Sequence, residues 1–118
     1  MTTRMFRVTV RGVFDSLTEI QRGLLLADAA DHDILRASYT PEGHLTYDLS
    51  VRDAFAFRFL ATGEAETDAI VATERAEAAA AEWLTDRDHG CKNLRSQVVD
   101  LALAPLGKRQ RKAAIAGR

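Results

Sequence analysis

Five arginines, at positions 7, 11, 36, 58 and 95, carry the chemistry that is easiest to name in this chain. A guanidinium is permanently charged and presents paired N–H donors that match a carboxylate or phosphate bidentately. Arg7 and Arg11 alternate with apolar residues in FRVTVRGVF (6–14), and Arg58 does the same in AFAFRFLA (54–61). On the strands of one sheet, alternating positions gather on a single face. That face is expected to bind an anionic or polar small molecule, with Arg7, Arg11, Arg36, Arg58 and Arg95 as ligand-binding residues. The parity of the last strand leaves Arg95 the least determined of the five. Asp48 is the one acid expected among them, and His44 or Asp48 would transfer a proton if the site is catalytic. A solvated polar sheet face explains the same pattern without any ligand.

Other chemistries find less support. His32, His44 and His89 are dispersed, and neither H-x-x-x-H nor C-x-x-C spacing occurs, so no metal site and no cofactor are expected. Asp28, Asp31 and Asp33 surround His32 at the end of an expected helix, where solvation of a loop explains them. Cys91 is the single cysteine and cannot form an internal disulfide.

The three phenylalanines at 55, 57 and 59 pose a separate question. Asp53–Leu60 matches the aromatic motif of RNA-recognition sheets at Phe55, Ala56 and Phe57. With those rings turned toward RNA, Arg58 would point into the core, at a cost of several kcal/mol for an unpaired charge. The opposite orientation buries the phenylalanines with Phe6, Val8, Val10, Tyr39 and Tyr47 and leaves Arg58 outside. The rings are therefore expected to be core.

The elements that position these residues follow from periodicity. FRVTVRGVF is a strand. Ser16 with Glu19 forms a capping box for a helix running to about Ala30, with Leu17, Ile20, Leu24 and Ala27 inward. LRASYTPEGHLTYDLSV (35–51) is expected to form a hairpin about Pro41-Glu42-Gly43, pairing Thr40 with His44, Ser38 with Thr46 and Arg36 with Asp48. After the strand at 54–61, a second helix spans Thr67 or Asp68 to about Arg87 on a stripe of Ala69, Ala72, Ala76, Ala80 and Trp83. Residues 92–103 are the last strand. The order β-α-β-β-β-α-β predicts an α+β, ferredoxin-like sandwich with two helices on one face of a mostly antiparallel sheet.

A chain of 118 residues is one domain. Residues 1–103 are its expected extent, followed by a basic tail over 104–118. The net charge of −1 hides an asymmetry: all 17 acids precede Leu101, whereas Lys108, Arg109, Arg111, Lys112 and Arg118 follow it with no acid among them. Residues 64–88 hold eight acids against Arg75 and Arg87, so the tail has an acidic surface within its own molecule to lie against. No apolar run reaches the roughly 18–20 residues of a membrane span, and MTTRMFRVTV enters a strand pattern directly, without the apolar stretch of a signal peptide. A cytoplasmic setting is expected.

With MFRVTVRG, ADHD, TPEGHLTYD, TERAEAAA, KNLRSQ and APLGKR in view, the chain resembles an actinobacterial family of small α+β proteins of unknown function, over about residues 5–112. The resemblance implies no activity, cofactor or catalytic residue. The residues themselves lead to a homodimeric small-ligand-binding protein, two open sheet faces closing a barrel-like cavity. A structural or regulatory protein-interaction domain is the alternative. Nucleic-acid association through GKRQRK would be weak and strongly salt-dependent, so nucleic acid is not an expected partner.

Overall fold

The computed structural model describes residues 3–102. The expected basic tail lies outside the described residues. Strand β1 spans Arg4–Asp15, β2 His44–Tyr47, β3 Ala54–Gly63 and β4 Gly90–Asp100; helix α1 spans Glu19–Ala27 and α2 Asp68–Asp86. Two short 3-10 turns, Ala29–His32 and Ile34–Arg36, follow α1. The strands form one antiparallel sheet in the order β2-β3-β1-β4. This is an α+β fold with four strands rather than the expected five.

Alternation decides the two faces. Phe6, Val8 and Val10 of β1 pair with Ala61, Phe59 and Phe57 of β3, and Leu45 and Tyr47 of β2 lie opposite Phe57 and Phe55. All the aromatic residues of this set are buried, so the phenylalanines are core and no stacking platform. Rings run through that core from Phe14 to Phe55, Phe57 and Phe59, with Trp83 of α2 edge-on to Phe57 at 5.6 Å between centroids. Helix α2 rests on β1, β3 and β4 through Ala72, Ala76, Ala80 and Leu84. Small side chains at every turn let its backbone approach the sheet closely.

Helix α1 departs from the expected frame. Its N-cap is Thr18, which accepts the Gln21 N–H while the Gln21 side chain accepts the Thr18 N–H. Ser16 is unavailable as a cap because it turns the corner out of β1 with φ of 57°. Leu25 is the buried residue of this helix, and Ile20 and Leu24, expected inward, are exposed. The bidentate Arg22–Asp53 ion pair, at 2.9 and 2.7 Å, ties the helix to the start of β3. It holds the Asp53 carboxyl below its ordinary range.

The expected hairpin forms only in part. Gly43 N–H donates to Thr40 O at 3.1 Å and Gly43 has φ of +90°, so the turn about Pro41-Glu42-Gly43 is present. Its first arm is not a strand. Two imidazoles take over the hydrogen bonds that a paired arm would make: Ser38 N–H donates to His44 Nδ1 (3.3 Å), His44 Nε2–H donates to Asp31 O (3.2 Å) and His32 Nδ1–H donates to Leu45 O (2.8 Å). Asp33 caps the second 3-10 turn by accepting the Leu35 N–H. Consequently Arg36 does not pair with Asp48, Leu35 is exposed, and Tyr39 crosses to the face opposite the core.

His89, just beyond α2, is buried between Phe14 and Trp83, and its Nδ1 has no hydrogen-bond partner among the described residues. Burial, aided by Arg87 and opposed by Asp88, holds its pKa below the ordinary 6.5. The folded chain thus favours the neutral ring, and the unfolded chain takes up the proton first as pH falls. The stability involved is complete above the unfolded pKa and is lost as pH falls through the folded pKa. Between about pH 7.5 and 5.5 the urea midpoint is expected to fall less in His89→Phe than in the parent chain. Identical profiles would show that the ring ionises as freely folded as unfolded.

Candidate functional site

The face opposite the core collects the arginines from three strands. Thr9 lies opposite Arg58 on β3 and Gln97 on β4, and Arg11 lies opposite Ala56 and Arg95. His44 pairs with Arg58 in register. Arg95 reaches this face through a bulge: the β1–β4 register shifts between Arg11 and Val13, and Asn93 adopts φ of 57°. Lys92, opposite Val13, and Arg95, opposite Arg11, therefore share one face despite their odd spacing. Asparagine tolerates the left-handed conformation better than most residues, which is why the extra residue fits there.

Arg11, Arg58 and Arg95 line a groove of about 520 Å³, with Thr46, Asp48, Ile34, Val51 and Arg52 around it. Arg58 Nη1 donates to Thr46 Oγ1 at 2.6 Å, and Arg11 Nη1 reaches Gln97 Oε1 at 3.5 Å. Among the described residues the ion pairs are Arg4–Asp100 and Arg22–Asp53, so none of these three cations is in ion-pair contact with a carboxylate. Neutral acceptors position the guanidinium groups while leaving their charge and further N–H donors free. Asp48 stands at the groove, but its Oδ1 accepts both the N–H and the hydroxyl of Ser50.

The remaining candidates sit apart. Arg7 is on the same face toward the other end of β1, its guanidinium 5.3 Å from the centre of the Tyr39 ring. Tyr39 also bonds Thr9 through its hydroxyl at 2.9 Å and covers it, while Arg7 itself stays exposed. Arg36 belongs to the second 3-10 turn and does not line the groove. His44 has both ring nitrogens engaged by backbone groups and serves the loop. Tyr47 is buried on the core side, its hydroxyl donating to Leu25 O; burial, then Asp28 and Asp31, push its pKa up to about 12. It is a structural group at neutral pH.

Sequence reasoning missed Arg52, Ile34 and Val51. Arg52 reads as half of an Arg-Asp turn, and the other two read as hairpin or loop residues. The signal for Tyr39 was present but hidden, since its inward position followed only from a hairpin arm that the histidines displace. Cys91 is exposed on β4. Among the described residues no group of three His, Cys, Asp or Glu side chains is placed to hold a metal ion, and no helix is long and apolar enough to cross a membrane.

A half-covered antiparallel sheet with an arginine-rich groove defines an α+β domain bearing a candidate anion site. The chain belongs to the family of unknown function DUF6204, whose model matches residues 1–112. No curated protein and no solved structure matches it.

Proposed function

We propose that this chain is a small-ligand-binding protein that takes an anionic molecule on its arginine face. The observation that carries the reading is the convergence of Arg11, Arg52, Arg58 and Arg95 on one groove in which Asp48 is the one acid and forms no ion pair with them. Four arginines against one aspartate leave the groove with an excess of positive charge, and a carboxylate or phosphate offsets that excess while accepting their remaining N–H groups. Ile34 and Val51 give the groove an apolar border, which suits an anion carrying a hydrocarbon body.

The proposal includes a ferredoxin-like plan and a homodimer in the cytoplasm. Each helix follows one of the two inner strands, α1 after β1 and α2 after β3, which supports that plan. Pairing two such faces would close the groove and exclude water from the bound anion. If a reaction follows binding, Asp48 is better placed than His44 to move a proton, because His44 is committed to the loop.

Calorimetric titration with acetate, benzoate, inorganic phosphate and phenyl phosphate tests the reading. At least one of the aromatic anions is expected to bind, and Arg11→Met/Arg58→Met should weaken it by roughly 10- to 100-fold, since hydrogen bonds to charged groups contribute about 1.5–3 kcal/mol each. Equal affinity in the double variant, or no binding by any of the four, would remove the groove from consideration. Light scattering on the same samples addresses the dimer; a monomer at all concentrations would leave a single open groove.

A further inference from the structure

The arginine groove has a floor as well as a rim. In Ala54-Phe55-Ala56-Phe57 the phenylalanines face the core, so both alanines face the groove. Outward side chains two residues apart on a strand stand about 7 Å apart, close to the span of a substituted six-membered ring. Strand pairing sets what surrounds this floor. Thr46, Ala56, Arg11 and Arg95 are successive cross-strand partners on β2, β3, β1 and β4. Arg58 lies one row beyond them, level with Thr9, and Ala54 one row short, opposite Val13. The middle row is sunken: Thr46 and Ala56 are only 3% and 9% exposed although they lie on the face away from the core. Small side chains beneath and long ones around them make a slot.

The two ends of the slot differ in chemistry. Arg11, Arg58 and Arg95 surround the Ala56 end. Asp48 follows Tyr47, the partner of Phe55, and so stands at the Ala54 end. Its Oδ1 accepts both hydrogen bonds from Ser50, and its Oδ2 accepts none among the described residues. Arg52 borders this end too; its N–H donates to Asp48 O, yet it forms no ion pair with that carboxylate among the described residues. An anion is therefore favoured at the first end and a hydrogen-bond donor at the second. Between them a flat ring can lie against the alanine methyls and stack on guanidinium planes.

Given the anion-binding reading above, on which this rests, we propose that the groove takes an aromatic anion carrying a hydroxyl or amino group at the end away from its acid group. The anion meets Arg11, Arg58 and Arg95, the ring lies over Ala54 and Ala56, and the far donor bonds to Asp48 Oδ2. The arginines then supply affinity, and Ala54, Ala56 and Asp48 set specificity.

Calorimetric titration of the full chain with inorganic phosphate, phenyl phosphate, benzoate, 4-hydroxyphenyl phosphate and 4-hydroxybenzoate tests this. In at least one pair the hydroxylated compound is expected to bind roughly tenfold tighter than the unsubstituted one, the effect of one hydrogen bond to a charged group. Asp48→Ala should abolish that preference, while the unsubstituted compound binds as well or better because the groove has lost its one acid. Ala54→Leu, at a half-buried outward position, fills the floor and should weaken the aromatic ligands by about tenfold or more, with an unchanged circular dichroism spectrum. Equal or lower affinity for the hydroxylated compounds overturns the proposal and leaves the anion reading standing. A preference that survives Asp48→Ala, aromatic binding that Ala54→Leu leaves intact, or binding of inorganic phosphate alone does the same. No binding by any of the five removes the anion reading itself, and this proposal with it.

Discussion

Phe57→Ala is expected to cost about 3–5 kcal/mol, the range for deleting a large buried aromatic side chain. Phe57 is 3% exposed on an inner strand, opposite Val10 of β1 and Leu45 of β2. Its ring is edge-on to Phe55 at 5.5 Å and to Trp83 at 5.6 Å, and stacked with Phe59 at 6.3 Å. Removing it takes away burial from water and also the partner of three rings, each such contact adding about 0.5–1.5 kcal/mol. The neighbours cannot collapse into the space, since β1 and β2 hold its flanks by backbone pairing and α2 already meets the sheet through alanines. A domain of ordinary stability, about 5–15 kcal/mol, would be left marginal. Urea unfolding followed by Trp83 fluorescence measures the change. Phe57→Leu keeps most of the volume and should cost under about 2 kcal/mol. Equal losses in the two variants would mean that ring packing contributes nothing specific.

That core is legible from the residues because two independent constraints agree on it. Alternation placed Phe55, Phe57 and Phe59 on one face, and the cost of burying Arg58 chose which face. The stripe of α2 was equally accessible, since alanine at helical spacing needs no partner to be recognised. What failed were the elements whose backbone bonds are taken by side chains. A hairpin arm over 35–40 has good alternation, yet His32 and His44 satisfy the backbone groups it would have used. Nothing in a periodicity distinguishes an imidazole acceptor from a strand partner.

The candidate site shows the same division. Arg11 and Arg58 follow directly from alternation on inner strands. Arg95 depends on a bulge, and simple counting from Lys92 would place it on the core side. Only the left-handed Asn93, opposite a glycine in β1, brings it round. Arg36 was assigned to the face through a cross-strand pair that does not form. The groove is thus built from residues on regular strand, from Arg95 that a bulge turns to the same face, and from neighbours such as Arg52 that loops deliver.

Gly43→Ala should be among the most damaging single-methyl additions in the chain, at about 2–4 kcal/mol. A Cβ built there would lie 2.3 Å from Phe59 Cε1, 2.6 Å from Cζ and 2.8 Å from Cδ1, all far inside contact distance. The φ of +90° adds backbone strain for any L side chain. Relief requires either turning the Phe59 ring, which is buried and stacked on Phe57, or opening the Thr40–Gly43 turn and its bond from Leu60 N–H to Thr40 O. Each route loosens β2 at the edge of the sheet. Gly23→Ala is the matched control. It lies within α1, where a Cβ meets nothing within 4 Å, and the better helix propensity of alanine should stabilise by about 0.5–1 kcal/mol. Denaturant midpoints of the two variants are therefore expected to move in opposite directions. Movement in the same direction would mean that the Phe59 contact does not govern the turn.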